Sequence, residues 1–230
     1  MGEKISNQIA VYKTNKVLLE MQNCLKPAPK EFPWHIHAAG KKEGYSLIRL
    51  VAMDYSDKNE TISVYANLRP DTILYLYAQL CSGYEYVHWN EQKIFKDEEK
   101  GGVVTRIRVE RKEEHNGEKR SYPWIVNIGN GKGEVAYNRN GGQYCKAGTY
   151  EEEKSVSVNL TDEDFFYLLS RTQAVIRTFE QKMLYRDWEV RNFQTLFRLI
   201  KKELRFLHEG GQSRAGNGER CSLIGRARWK

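Results

Sequence analysis

Val64-Tyr65-Ala66-Asn67-Leu68 and Val156-Ser157-Val158-Asn159-Leu160 are one run of sequence written twice, with Val, Asn and Leu in register at an offset of 92 residues. Tyr75-Leu76 and Tyr167-Leu168 continue that register, and upstream Pro33-Trp34 and Pro123-Trp124 match at an offset of 90. A two-residue change of loop length accounts for the shift. Self-similarity at a period near 90 reads as a duplicated supersecondary unit. Trp34 and Trp124, each on the face that carries Ile36 or Val126, are expected in the core at equivalent positions.

Outward from these runs the two copies read alike. In the first, Trp34 to Ala38, Tyr45 to Tyr55 and Thr61 to Asn67 are strand-like runs, broken by Gly40, Gly44 and Ser56-Asp57-Lys58-Asn59. A helix follows, with Pro70 at its first position, where the missing N–H costs nothing, and Ile73, Leu74, Leu76, Tyr77 and Leu80 at helical spacing up to Gly83. In the second, Thr161 and Asp164 approximate a capping box ahead of an apolar stripe through Phe165, Leu168, Leu169, Thr172, Val175, Ile176 and Phe179. Arg69 and Thr161 thereby hold equivalent N-cap positions. Two alternating runs, Tyr84 to Phe95 and Val103 to Lys112, open the second copy as an antiparallel pair. At the same place in the first copy, Gln8 to Lys13 and Val17 to Gln22 read as a hairpin around Thr14-Asn15 in preference to a short helix.

The expected fold is therefore α+β, internally duplicated antiparallel β-sheet blocks each followed by a helix, plus a C-terminal helix. The duplicated domain spans residues 1–185, with repeat one at about 8–83 and repeat two at about 84–185. Residues 186–208 form an amphipathic helix, either separate from or continuous with the one starting at 162. Residues 209–230 form a Gly-rich basic tail expected to be mobile.

A chain of 230 residues with a mean hydropathy of -0.70 and 12% aromatic residues is a globular protein with ample core. No run approaches the roughly 18 apolar residues of a membrane span, so no membrane partner is expected. The start, Met1-Gly2-Glu3-Lys4-Ile5-Ser6, has no apolar signal region. Cys24, Cys81, Cys145 and Cys221 form no CxxC pair, and together these point to reduced thiols and a cytoplasmic setting.

The net charge of +7 is unevenly placed. Residues 186–208 and 209–230 each carry +3, which leaves +1 for residues 1–185. Any polyanion-binding surface on the body must therefore be a local patch.

That patch is sought on the sheets. Along Val103 to Lys112, Val103, Thr105, Ile107 and Val109 share one face, and Val104, Arg106, Arg108, Glu110 and Lys112 share the other. With helices over the apolar face, the cations stand on exposed sheet. The preceding strand adds Tyr84, Tyr86 and His88, with Trp89 on the opposite face. Copy one adds Tyr45, Arg49 and Tyr55, and His35 and His37, two apart on one strand, form a pair facing solvent or a partner. Rings for bases and guanidinium groups for phosphates are the chemistry of single-strand recognition on sheets. The competing reading is an ordinary charged outer face, because Glu85, Glu91 and Glu110 interrupt the patch and repel phosphate.

Other chemistry is thin. Gly129-Asn130-Gly131-Lys132-Gly133 lacks the GxxxxGK[ST]-to-helix pattern of a phosphate loop and reads as a hairpin turn, as does Asn138-Arg139-Asn140-Gly141-Gly142. Asp97-Glu98-Glu99 and Glu151-Glu152-Glu153 read as loop acids, and Asp162-Glu163-Asp164 sits where a helix dipole favours acids. No GxSxG motif, activated thiol or full metal-ligand set is present, so no cofactor, metal or enzymatic activity is expected.

The duplicated pattern, with Pro70 to Ser82 and Asp162 to Met183 in the helix places, resembles the Whirly fold of single-stranded DNA-binding proteins over roughly residues 8–185. The resemblance implies single-strand binding across sheets and oligomers formed through helices. The plant members' Lys-Gly-Lys-Ala-Ala-type motif has only Gly131-Lys132-Gly133-Glu134 as its nearest string here, so no residue is carried over. The leading function is binding of single-stranded DNA or RNA by a homo-oligomer. A protein-interaction or inhibitor module for an acidic protein surface is the alternative, and a metal-dependent nuclease using the acidic clusters is a third.

Overall fold

A computed structural model describes residues 7–29, 36–40, 44–57, 59–97, 101–115 and 117–212. The elements are β1 (Gln8–Lys13), β2 (Val17–Cys24), β3 (Ala39–Gly40), β4 (Gly44–Tyr45), β5 (Leu47–Asp54), β6 (Ile62–Leu68), α1 (Pro70–Cys81), β7 (Tyr86–Asp97), β8 (Gly101–Lys112), β9 (Glu114–His115), β10 (Glu118–Lys119), β11 (Trp124–Gly133), β12 (Val135–Tyr137), β13 (Gln143–Cys145), β14 (Glu151–Leu160) and α2 (Asp162–Gln212). Two antiparallel four-stranded sheets, ordered β1-β2-β5-β6 and β7-β8-β11-β14, carry the architecture, each followed by its helix. This is the α+β arrangement of duplicated sheet blocks that the sequence pattern and the Whirly resemblance imply. Chain contacts divide into two compact units, Met1–Met183 and Leu184–Lys230, and both sheets belong to the first. Residues 162–208 form one helix, not two.

Local chemistry explains the boundaries. The β1–β2 hairpin is closed by Thr14, whose hydroxyl accepts from the backbone N–H groups of Lys16 and Val17 at 3.1 and 3.0 Å. Pro70 opens α1 behind Arg69, which makes no side-chain cap, so the helix start rests on the proline ring's fixed φ. α2 has the reciprocal cap: the Asp164 N–H donates to Thr161 Oγ1 at 3.0 Å and the Thr161 N–H to Asp164 Oδ2 at 3.4 Å.

The sheets are duplicates in register as well as order. Leu68 pairs with Ile48, and its counterpart Leu160 pairs with Trp124. Ile48, fully buried, therefore holds the sheet position that Trp124 holds in the second block. This corrects the Pro-Trp match as a guide to equivalence. Trp34 lies outside the described residues, in the chain between β2 and β5, and the duplication rests on strand order. His35 and the tail from 213 onward also lie outside the described residues.

Gly129-Asn130-Gly131-Lys132-Gly133 forms the end of β11 rather than a turn. Its glycines serve close packing: a Cβ on Gly131 would come within 2.0 Å of the Glu151 carbonyl oxygen, at a bulge in the β11–β14 ladder. The chain turns later, at Asn138 to Gly142, where Gly141 has a positive φ of 76°.

One apolar core joins the inner faces of both sheets to the helices. Leu19, Met21, Leu50, Ala66, Ile107, Val126, Val158 and Trp124 meet Ile73 and Leu76 of α1 and Phe165, Leu168, Leu169 and Ile176 of α2. Trp124 and Phe165 pack with ring centroids 4.7 Å apart. Fully burying a side chain of this size contributes roughly 1.5–3 kcal/mol. With both inner faces committed, the outer faces are the surfaces free for other work.

Candidate nucleic-acid interface

The outer face of the second sheet is set by alternation and cross-strand register. Gln92, Arg106, Gly129 and Ser155 form one row across β7, β8, β11 and β14, and Asn90, Arg108, Asn127 and Ser157 form the next. His88, Glu110, Ile125 and Asn159 form a third, beyond which Tyr86 pairs with Lys112. Arg106, Arg108 and Lys112 thus share the face that alternation assigns them. Trp89 lies on the opposite, inner side, packed against the core.

The remaining member of that alternation, Val104, is fully buried although it points outward. The β12–β13 hairpin accounts for this. Val135 Cγ2 and Ile94 Cδ1 crowd Gly102, while Cys145 Sγ and Val104 Cγ2 crowd Gly133, which places the hairpin over one end of the outer face. What stays open is a groove of about 490 Å³ lined by Asn90, Gln92, Arg106, Arg108, Asn127 and Glu152.

Gly129 shapes the groove wall. A Cβ there would stand 2.8 Å from the Tyr150 hydroxyl and 2.7 Å from Glu152 Oε2, so only glycine lets these side chains lie over the strand. The Arg106 guanidinium then sits 4.1 Å from the Tyr150 ring centroid, a cation–π contact, while its Nη2 donates to Gln92 Oε1 at 3.4 Å. Burial, followed by the Glu152 carboxylate, raises the Tyr150 phenol above its ordinary value, with Arg106 opposing. Tyr150 was not singled out from sequence because it precedes β14 and belongs to no alternating run. The space that Gly129 leaves beside Arg106 is a structural signal, since it depends on the cross-strand pairing of the two residues.

Glu110 does not break the patch as its charge implies. It is only 6% exposed. His88 Nδ1 lies 2.9 Å from its Oε1, Lys112 Nζ 3.3 Å from its Oε2 and Arg108 Nε 3.8 Å from its Oε1. Burial pushes its carboxyl upward, but the hydrogen bond from Lys112, the charge of Arg108 and the hydrogen bond from His88 outweigh that and hold it below the ordinary carboxylate range. The acid is an internal counter-ion that fixes three basic side chains. Glu91 pairs across the ladder with Ile107, on the inner side, and ion-pairs with Lys93 at 3.1 Å.

The other expected site residues are distributed elsewhere. Arg49 stands on the outer face of the first sheet, so it does not cluster with Arg106 and Arg108. It donates to Asn67 Oδ1 at 3.1 Å and lies 5.0 Å from the ring centroid of Tyr65, an exposed aromatic that the sequence reading passed over. Tyr45 is exposed on the small β3–β4 hairpin. Tyr55 is a staple: its hydroxyl donates to the carbonyls of Thr14 and Val17 and holds the β1–β2 hairpin. Tyr84 precedes β7, and its carbonyl accepts from Arg111 Nη1 at 3.0 Å. Tyr86 is 63% exposed beside Lys112.

His37 is not a surface ligand either. Its ring stacks on Phe179 at 5.4 Å, with Nδ1 2.9 Å from Ser46 Oγ and Nε2 3.2 Å from Glu180 Oε1, so it ties the segment before β5 to α2. Asp162 is likewise spent. Its carboxylate accepts from Arg111 Nε at 3.1 Å, Arg111 Nη2 at 3.2 Å and Trp124 Nε1 at 2.7 Å. The Arg111 hydrogen bond, against burial and together with the indole, holds it below the ordinary range. Among the described residues, no group of three or more His, Cys, Asp or Glu is placed to hold a metal ion.

No protein-family model matches the chain, and no curated protein matches it. Among solved structures, that of the plant transcriptional regulator PBF-2 is similar, with a TM-score of 0.47 and 13% sequence identity over 84% of this chain and 90% of that chain.

Proposed function

We propose that the chain binds single-stranded nucleic acid on the outer face of its second sheet and acts by binding rather than by catalysis. The observation that carries this is the alignment of Arg106, Arg108 and Lys112 on the outer face of β8, with Tyr150 beside Arg106 and Tyr86 beside Lys112, next to an open groove, the Glu110 carboxylate among these cations being paired with them. A flat, twisted sheet face gives splayed bases room to lie against side chains, which a duplex, with its bases turned inward, does not exploit. Cationic side chains at outward positions of β8 meet a phosphate backbone, whose condensed counterions are released on binding. Residues 186–230 add sequence charge of +6 to the same task. The apolar stripe Trp188, Phe193, Leu196, Phe197, Ile200, Leu204 and Leu207 belongs to a homo-oligomer in this reading, because such a stripe left in water invites association. Titration of labelled single-stranded and duplex DNA and RNA tests the proposal. Single strands are expected to bind more tightly, and equal affinity for duplex would count against it.

A further inference from the structure

We propose that this face also discriminates among unpaired bases, taking cytosine and guanine in preference to thymine, uracil and adenine. The inference rests on the nucleic-acid reading above and adds which bases are read. Its source is the middle row, Asn90–Arg108–Asn127–Ser157.

Hydrogen bonds fix what that row offers. His88 bridges Glu110 and Asn90: its Nδ1 lies 2.9 Å from Glu110 Oε1, and its Nε2 lies 2.9 Å from Asn90 Nδ2, which engages that amide nitrogen. Asn127 Nδ2 donates to Ser157 Oγ at 2.7 Å. Both amide nitrogens are thereby engaged, and no hydrogen bond to a described residue occupies Asn90 Oδ1 or Asn127 Oδ1. Between them Arg108, with a side chain 49% exposed, is held only through Nε, at 3.8 Å from Glu110. Its terminal nitrogens are free among the described residues. The row therefore presents two adjacent donors with an acceptor oxygen on either side.

Phosphate, which offers only acceptors, meets those amide oxygens unfavourably, whereas Arg106 on the next row and Lys112 two rows away on the other side carry no such flanking oxygens in this reading. A base edge suits the row better. Cytosine offers O2 and N3 as adjacent acceptors and then the N4 donor, and guanine offers N7 and O6 and then the N1 donor. Thymine and uracil alternate acceptor, donor, acceptor through O2, N3–H and O4, as adenine does through N1, N6–H and N7. Neither places two acceptors side by side against the arginine fork. Strands about 4.8 Å apart let one base reach Arg108 and a flanking amide together.

The test is fluorescence anisotropy with the full chain and labelled oligo-dC and oligo-dT of equal length, at slightly alkaline pH where cytosine tracts stay unpaired. Wild-type protein should bind oligo-dC about fivefold more tightly or better. In a chain carrying both Asn90→Leu and Asn127→Leu the ratio of oligo-dC to oligo-dT affinity should fall to about one, whatever the change in overall affinity. A cooperative thermal transition like that of the wild type reports an intact fold. Wild-type affinity for oligo-dT equal to or above that for oligo-dC would overturn the base preference and leave nucleic-acid binding standing. A preference that survives both substitutions would overturn its assignment to the amide row. Binding of neither oligomer would remove the underlying reading, and this inference with it.

Discussion

The side-chain amide of Asn130 pairs with the backbone of Tyr65 as another strand would: Tyr65 N–H donates to Asn130 Oδ1 at 3.0 Å, and Asn130 Nδ2 donates to the Tyr65 carbonyl at 3.0 Å. Asn130 Nδ2 also reaches Thr105 Oγ1 at 3.2 Å. Through this one residue, β6 at the edge of the first sheet is anchored to the inner side of the second, and Lys93 Nζ adds a second tie to the Asn67 carbonyl at 2.6 Å. An unpaired edge strand is a template for aggregation, and the amide closes part of that edge.

Replacing Asn130 with Ala leaves a backbone donor and acceptor of Tyr65 without partners at the sheet junction. Both bonds are exposed, so we expect a loss of about 0.5–1.5 kcal/mol, read from denaturant unfolding, with the same slope against denaturant as the wild type. Unchanged stability would show that water replaces the amide without cost.

Acid should weaken the fold through Asp162. Its carboxyl is held below the ordinary range by Arg111 and Trp124, so its contribution is present at neutral pH and fades as pH falls through that depressed value. Glu110 acts in the same direction. Asp162→Asn should therefore be less stable than the wild type near neutrality, with the gap closing on acidification. Thermal melts across an acid series check this, and a pH-independent gap would contradict it.

Gly129→Ala pushes the Tyr150 hydroxyl and the Glu152 carboxylate off the groove wall. Both atoms are far ends of flexible side chains, so the chain should still fold cooperatively. Single-strand affinity should fall severalfold as Tyr150 leaves Arg106, in line with roughly 1–3 kcal/mol for a base–aromatic stack. Anisotropy beside a melting curve separates the two effects.

Self-association is expected through residues 186–208. Light scattering should return a mass above the 26.9 kDa of one chain, and Leu196→Glu with Ile200→Glu should lower it. A monomer at high protein concentration would contradict this.

The fold was legible wherever local chemistry repeats. Thr161 with Asp164, Pro70 behind Arg69, and the alternation from Val103 to Lys112 each specify their element within a few residues, and the structure follows them. The Gly129 to Gly133 run misled because a glycine's need for space against a neighbouring strand looks, in sequence, like its freedom to turn. The Pro-Trp match misled because Ile48, with no letter in common, holds in the first sheet the position that Trp124 holds in the second. In the candidate interface, the β8 cations could be read from alternation alone. Tyr150 in the wall, the hairpin over Val104 and the burial of Glu110 depend on contacts between residues distant in sequence. For the same reason, His37 and Tyr55 carry polar groups that sequence could not distinguish from binding groups, since their partners are Glu180 and Ser46 in one case and the Thr14 and Val17 carbonyls in the other.

The central claim places the nucleic acid on the second sheet, and the salt dependence of single-strand binding by three chains tests it most directly: the wild type, Arg106→Ala with Arg108→Ala, and Arg49→Ala. The account predicts that the wild type loses affinity steeply as salt rises, that the double variant binds more weakly with a slope shallower by about two units or less, and that Arg49→Ala, altered on the other sheet, keeps the wild-type slope. A double variant with wild-type affinity and slope, or an Arg49→Ala chain that alone loses both, would contradict it.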